Sequence, residues 1–155
     1  MQQLLFSTDN GFTGLILRLT IGLIMFPHGA QKMLGLFGGY GFKATMKYFT
    51  ETMQLPWFIS LIIILIEFLG AIGIFLGFGT KIWAVLFIVV MIGAVVTTNY
   101  SNGFFMNWFG NQSGEGFEYH LLVIGLCIAL LVTGSGKLAL DNILYAEMLR
   151  QPAIK

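Results

Sequence analysis

One cysteine, three prolines and a charged fraction of only 10% over 155 residues mark this sequence first by what it leaves out. The lone Cys127 excludes an internal disulfide, a CxxC redox pair and any cluster held by several thiolates of this chain, so an electron carrier has to come from elsewhere. No HxxxH or ExxH spacing supports a metal site, and no Gly-rich phosphate loop, GxSxG elbow or kinase signature is present. The basic residues are scattered and the formal net charge is +1, which argues against a nucleic-acid face or a polybasic lipid patch. Soluble-enzyme chemistry finds no support here.

What the sequence has instead is apolar length. Apolar residues make up 57% of it and the mean hydropathy is +0.84, more than a soluble core of this size needs, so an integral membrane protein is expected. A bilayer core of roughly 30 Å takes about 20 apolar residues per helix. Four stretches approach that length, at about 12–31, 57–78, 81–99 and 118–134. The expected fold is all-α, a single four-helix transmembrane bundle with both termini on one side of the membrane. The N-terminus lacks a basic n-region, and its first apolar run holds Arg18, Pro27 and His28, so a retained helix is expected rather than a signal peptide. The turn from Gly77 to Lys81 is short enough to make the second and third helices antiparallel neighbours. On the other side, residues 32–56 and 100–117 are rich in glycine and aromatics and suit the membrane interface. Lys81, Lys137, Arg150 and Lys155 on the terminal side against Lys32, Lys43 and Lys47 on the loop side favour cytoplasmic termini; the expected location is a bacterial inner (plasma) membrane. The tail after Asp141 reads as a short interfacial helix over about 138–150.

Two charges lie inside apolar runs, Arg18 in the first and Glu67 in the second. A charge at membrane depth costs roughly 2.5–3.5 kcal/mol even on lenient insertion scales, so it normally faces a protein interior. At 100° per residue, Gly14, Arg18, Gly22 and Gly29 share one stripe, Glu67 lies beside Gly70, Ala71 and Gly77, and Glu118 aligns with Gly125, Ala129 and Gly136. Small residues mark close helix approach, so all three charges are expected to point inward. Arg18 and Glu67 differ in depth by only about 6 Å, and a buried Arg18–Glu67 pair is expected, either as a register lock or as part of a site.

A second group gathers at the loop end, where His28, Lys32, Asn102, Glu118 and Tyr119 can meet. His28 and Glu118 are the candidates for proton transfer, and Lys32, Asn102 and Tyr119 for ligand binding. Pro27 frees the carbonyl of Leu23 and should kink the backbone beneath His28. His120 lies about 160° round its helix from Glu118 and is expected to look away from that pocket, which also disfavours bis-histidine haem ligation.

With these residues in hand, the chain resembles the DoxX/DoxD-like family of small four-helix membrane proteins. The resemblance runs through LRLTIGLIMFPHGAQKMLGLFGG (Leu17 to Gly39), IEFLGAIGIFLGFGTK (Ile66 to Lys81), NGFFMNW (Asn102 to Trp108), FEYHLL (Phe117 to Leu122) and TGSGKLALD (Thr133 to Asp141). Its matching positions are His28, Gly29, Lys32, Glu67, Asn102, Glu118, Tyr119, Gly134, Gly136 and Asp141. Ser135 and Lys137 stand where the family usually has GPGR. The resemblance implies a part in passing electrons from thiosulfate to a membrane quinone with a second subunit, or in thiol-stress systems.

Two readings follow. In the first, the bundle binds a quinone or a small anion at the loop end as the membrane subunit of an oxidoreductase, alongside a redox partner subunit; no metal is expected. In the second it is a non-enzymatic scaffold, or a permease for protons or small solutes, with Glu67 as the carrier. Glycine faces also permit a homo-oligomer, although the same faces are needed inside one bundle.

Overall fold

The computed structural model describes residues 10–150 of the chain. Among them the structure is helical, in the order α1 (Phe12–Leu34), α2 (Gly41–Lys47), α3 (Trp57–Leu76), α4 (Thr80–Ala94), α5 (Glu118–Thr133) and α6 (Leu140–Arg150). α2 runs on into a π-helical turn, Tyr48–Thr52. α4 continues through a π-helical turn, Val95–Asn99, and a 3-10 turn, Tyr100–Asn102. α1, α3 and the Thr80–Asn102 segment are long and apolar enough to cross a membrane by length and composition, whereas α5 is a shorter apolar helix of 16 residues.

The helix bounds fall close to those expected, with two additions. The segment 32–56, read as a loop, contains α2, and the third apolar stretch ends in π and 3-10 turns rather than in regular α-helix. α1 continues through Pro27 to Leu34 and stops at Gly35 in the left-handed region (φ 73°), a conformation open to glycine without steric cost. Gly77 (φ 68°) and Gly79 (φ 62°) make the tight turn between α3 and α4 in the same way.

α1 packs on α3 and α5, and α4 packs on the same two helices, which closes a ring of four apolar helices. Ile21, Met25, Ile74, Phe87, Cys127 and Leu130 fill its centre. The outer surface carries Ile16, Leu23, Val89 and Val132, all exposed, as suits helices in an apolar solvent.

The glycine stripe of α1 faces inward as expected. A Cβ added at Gly29 would lie 2.6 Å from the backbone of Glu67, and one at Gly14 would lie 2.5 Å from the carbonyl of Gly134. On α5 the expectation fails. Gly125 is exposed, with nothing within 4 Å of an added Cβ. The buried stripe is instead Val123, Cys127 and Leu130. Here the ring closes through side-chain volume rather than through backbone approach, so the small-residue rule selects the wrong face and takes Glu118 with it.

The second correction concerns Arg18, which is buried but does not meet Glu67. Its Nε donates to the carbonyl of Ser135 (3.0 Å), its Nη2 to those of Lys137 and Leu138 (both 2.9 Å), and its Nη1 to that of Phe75. The fixed fork of a guanidinium suits several convergent acceptors, and the turn after α5 and the end of α3 supply them. Asp141 closes the same end. Its Oδ1 accepts the N–H of Gly79 (2.7 Å) and its Oδ2 that of Thr80 (3.0 Å), which caps the start of α4, while its own N–H donates to the carbonyl of Gly77 (2.8 Å). Gly134, Gly136 and Asp141 thus belong to a structural clasp.

Gly29→Ala is expected to lower the melting temperature of detergent-purified protein, since overpacking a close contact costs about 1–3 kcal/mol. Gly125→Ala should leave it unchanged or raise it. A thermal unfolding curve for each variant, read by circular dichroism, checks the pair.

Candidate functional site

The absent side chain of Gly29 lets α1 lie directly on the backbone of Glu67 and Phe68 in α3. Lys32, one turn further along α1, then reaches the carboxylate. Its Nζ donates to Glu67 Oε2, forming a salt bridge in which the Glu67 side chain is 7% exposed and that of Lys32 27%. Glu67 is therefore inward-facing as expected, but its partner is Lys32 rather than Arg18. A buried carboxylate needs a cation and good hydrogen-bond geometry to offset desolvation. The nearer amine, on the same close helix contact, provides both.

α5 brings two further groups, Tyr119 and His120, to this pair and to His28 of α1. The Tyr119 ring lies between two imidazoles, 5.8 Å from His28 and 5.7 Å from His120 between ring centroids, and its hydroxyl donates to the sulfur of Met25 (3.4 Å). His28 is exposed. His120 is half-buried, and its Nδ1 is a buried atom with no hydrogen-bond partner among the described residues. His28, Tyr119 and His120 all lie within electrostatic range of Glu67.

On its other side Lys32 lines a cavity of about 570 Å³. Gln31 and Lys32 at the end of α1 form one wall, the turn at Gly38, Gly39 and Tyr40 the rim, and Ala44, Thr45, Tyr48 and Phe49 of α2 and its π-helical turn the opposite wall. Gly39 makes this enclosure compact, because a Cβ there would lie 2.4 Å from the backbone of Gln31. The cavity thus combines aromatic faces, hydroxyl groups and one cation.

Glu118 and Asn102 lie elsewhere. Glu118 Oε1 accepts the N–H of Met106 (2.9 Å) and the indole N–H of Trp108 (3.2 Å). Asn102 Oδ1 accepts the hydroxyl of Ser113 (3.0 Å), and its Nδ2 donates to the carbonyl of Glu115 (3.1 Å). Both fasten the loop that joins α4 to α5. Glu115 helps, accepting the N–H of Asn107 through Oε2 (2.7 Å). Of the expected loop-end group, then, His28, Lys32 and Tyr119 come together around Glu67, and Asn102 and Glu118 do not join them.

His120 is the residue that sequence reasoning turned away. The signal was available, since His120, Val123, Cys127 and Leu130 follow a spacing of three and four residues, the pattern of a helix face turned to the core. The cavity walls from α2 were missed for a different reason. A seven-residue helix at the interface has no long apolar run to announce it.

The DoxX family model matches residues 13–100, a range that takes in α1 to α4 and both partners of the Lys32–Glu67 pair. The chain is 36% identical over 131 residues to "Putative oxidoreductase CatD" of Bacillus subtilis (strain 168), covering 84% of this chain and 86% of that protein. It is 30% identical over 132 residues to "Inner membrane protein YphA" of Escherichia coli (strain K12), covering 83% of this chain and 87% of that protein. No solved structure matches it. With a family model spanning more than half of its length and a relative aligned over most of it, this chain belongs to the DoxX family.

Proposed function

We propose that the chain is the membrane subunit of a quinone-linked oxidoreductase, acting in sulfur or thiol redox chemistry with the electrons supplied by a partner subunit. In this reading it crosses the bacterial inner membrane four times and keeps both termini in the cytoplasm, with the loop ends of the helices at the outer interface. The supporting observation is the cavity of about 570 Å³ that Lys32 lines together with Tyr40, Tyr48 and Phe49.

The fit is chemical. A quinone head group is a flat ring with carbonyl acceptors at its edge, and the cavity offers aromatic faces for the ring and an ammonium for a carbonyl oxygen. A quinone supplies a two-electron acceptor that takes up two protons as its carbonyls become hydroxyls. Lys32 orients one carbonyl and stabilises negative charge on its oxygen, which is the electrostatic contribution expected of a positioned cation. His28, exposed at this end, passes protons between the site and the surface. Cys127 is fully buried in the ring of helices, and a single thiol offers no redox pair within the chain. The names carried by the relatives in Bacillus subtilis and Escherichia coli are in keeping with a membrane redox role.

Lys32→Met is expected to weaken binding of a short-chain quinone analogue by at least tenfold, about 1.4 kcal/mol or more for a charge-assisted hydrogen bond. Isothermal titration of detergent-purified protein measures this. No heat with any quinone analogue, together with proton flux in proteoliposomes that is abolished by Glu67→Gln, would instead establish the permease reading. Glu118→Ala should leave quinone affinity unchanged while making the 103–117 loop more sensitive to limited proteolysis.

A further inference from the structure

Lys32 belongs to two sites at once, since it is the cation of the buried Glu67 and also a wall of the cavity. One ammonium cannot fully satisfy a carboxylate on one side and a carbonyl or anionic ligand on the other. When a ligand draws Lys32 into the cavity, Glu67 loses its counter-charge in the protein interior, where an unpaired carboxylate is strongly disfavoured. Something must then supply positive charge or a proton.

The groups around Glu67 are few. Lys32 is bonded to it from α1, and His28 on α1 and Tyr119 and His120 on α5 lie within electrostatic range of it, while the buried face of α4 consists of Thr80, Ala84, Phe87, Val90 and Met91 and offers no titratable group. Tyr119 is already committed to the sulfur of Met25 through its hydroxyl. His120 has a buried ring nitrogen that no described group satisfies. In water an imidazole holds a proton about two pH units more tightly than a carboxylate does. Inside the bundle burial works against both charged groups, so an imidazole takes the proton ahead of Glu67 only where the imidazolium and the carboxylate stay close enough to stabilise each other.

We propose that Lys32 is a two-position cation, and that His120 takes up one proton when Lys32 leaves Glu67, so that occupation of the cavity is coupled to protonation of the bundle interior. The balance is simple. One ammonium moves to the ligand, one proton arrives from the surface by way of exposed His28, and a His120 imidazolium replaces the ammonium beside the carboxylate. His120 is a positioning residue in this scheme, since it acts through Glu67 and Lys32 rather than on the ligand. The ligand half of the coupling rests on the function proposed above; the proton half does not.

The chain contains only two histidines, so the state of His120 can be read alone. In the His28→Gln background, labelled with nitrogen-15 at histidine and held in nanodiscs at pH 7, the His120 ring should be neutral. Adding Lys32→Met should convert it largely to the imidazolium, and adding Glu67→Gln to that variant should return it to neutral. Lys32→Gln, which keeps a hydrogen-bond donor but no charge, repeats the test should the methionine variant fail to fold. Persistence of a neutral ring after loss of the Lys32 charge, with the proton found on the Glu67 carboxyl by carbon-13 labelling, overturns the proposal. In the chain with Lys32 intact, addition of a short-chain quinone analogue should produce the same imidazolium signal. Success of the variants with no response to the analogue would refute the quinone reading and leave the Lys32–His120 coupling standing.

Discussion

The structure depends on one constraint, that an ionised side chain inside a ring of apolar helices must find its compensation within the same chain. Glu67 and Arg18 meet it by opposite means. The carboxylate takes a single mobile counter-ion, Lys32, across a contact that glycine makes possible. The guanidinium takes no counter-ion at its own four contacts and spreads its charge over four backbone carbonyls. Neutral carbonyls fixed by the fold cannot leave, so the Arg18 end is rigid. An ammonium on a flexible stem can leave, and the Glu67 end therefore has the freedom that a binding site requires.

This division separates a clasped end from a cavity-bearing end along the helix axis. At one end the turn after α5, the start of α6 and the α3–α4 turn are locked together by Arg18 and Asp141. At the other end α2 and the glycine turn before it enclose a cavity against the last turns of α1. The positions that carry the family resemblance in the sequence fall in both places. Lys32 and Glu67 lie at the cavity end, whereas Gly134, Gly136 and Asp141 lie at the clasp, so resemblance at a position does not by itself separate a site residue from a structural one.

Much of this was legible in the sequence. Apolar length gave the helices to within a few residues, and the expense of intramembrane charge correctly turned Arg18 and Glu67 inward. Pairing was not legible, because helical phase and depth allow Arg18 to approach Glu67 and say nothing of carbonyls presented by a turn 117 to 120 residues further on. The orientation of α5 was misread on a sound rule applied where it does not hold. Small residues do mark close helix contacts on α1, but α5 packs through Val123, Cys127 and Leu130 and leaves Gly125 outside. That single error set His120, whose Nδ1 is buried, on the outward face. The loop bonds of Glu118 and Asn102 are set by tertiary geometry, and no spacing in the sequence encodes them.

The Arg18 clasp also bears on how the molecule is made. Translation delivers α1 first, yet three of the four carbonyls that receive its guanidinium come from Ser135, Lys137 and Leu138. Throughout synthesis of the intervening helices this cation has to be held by water, lipid phosphate or the insertion machinery. Closure of the ring is accordingly a terminal event in biogenesis, and a ribosome stalled before residue 135 would leave a nascent chain marked for quality control by an unsheltered arginine.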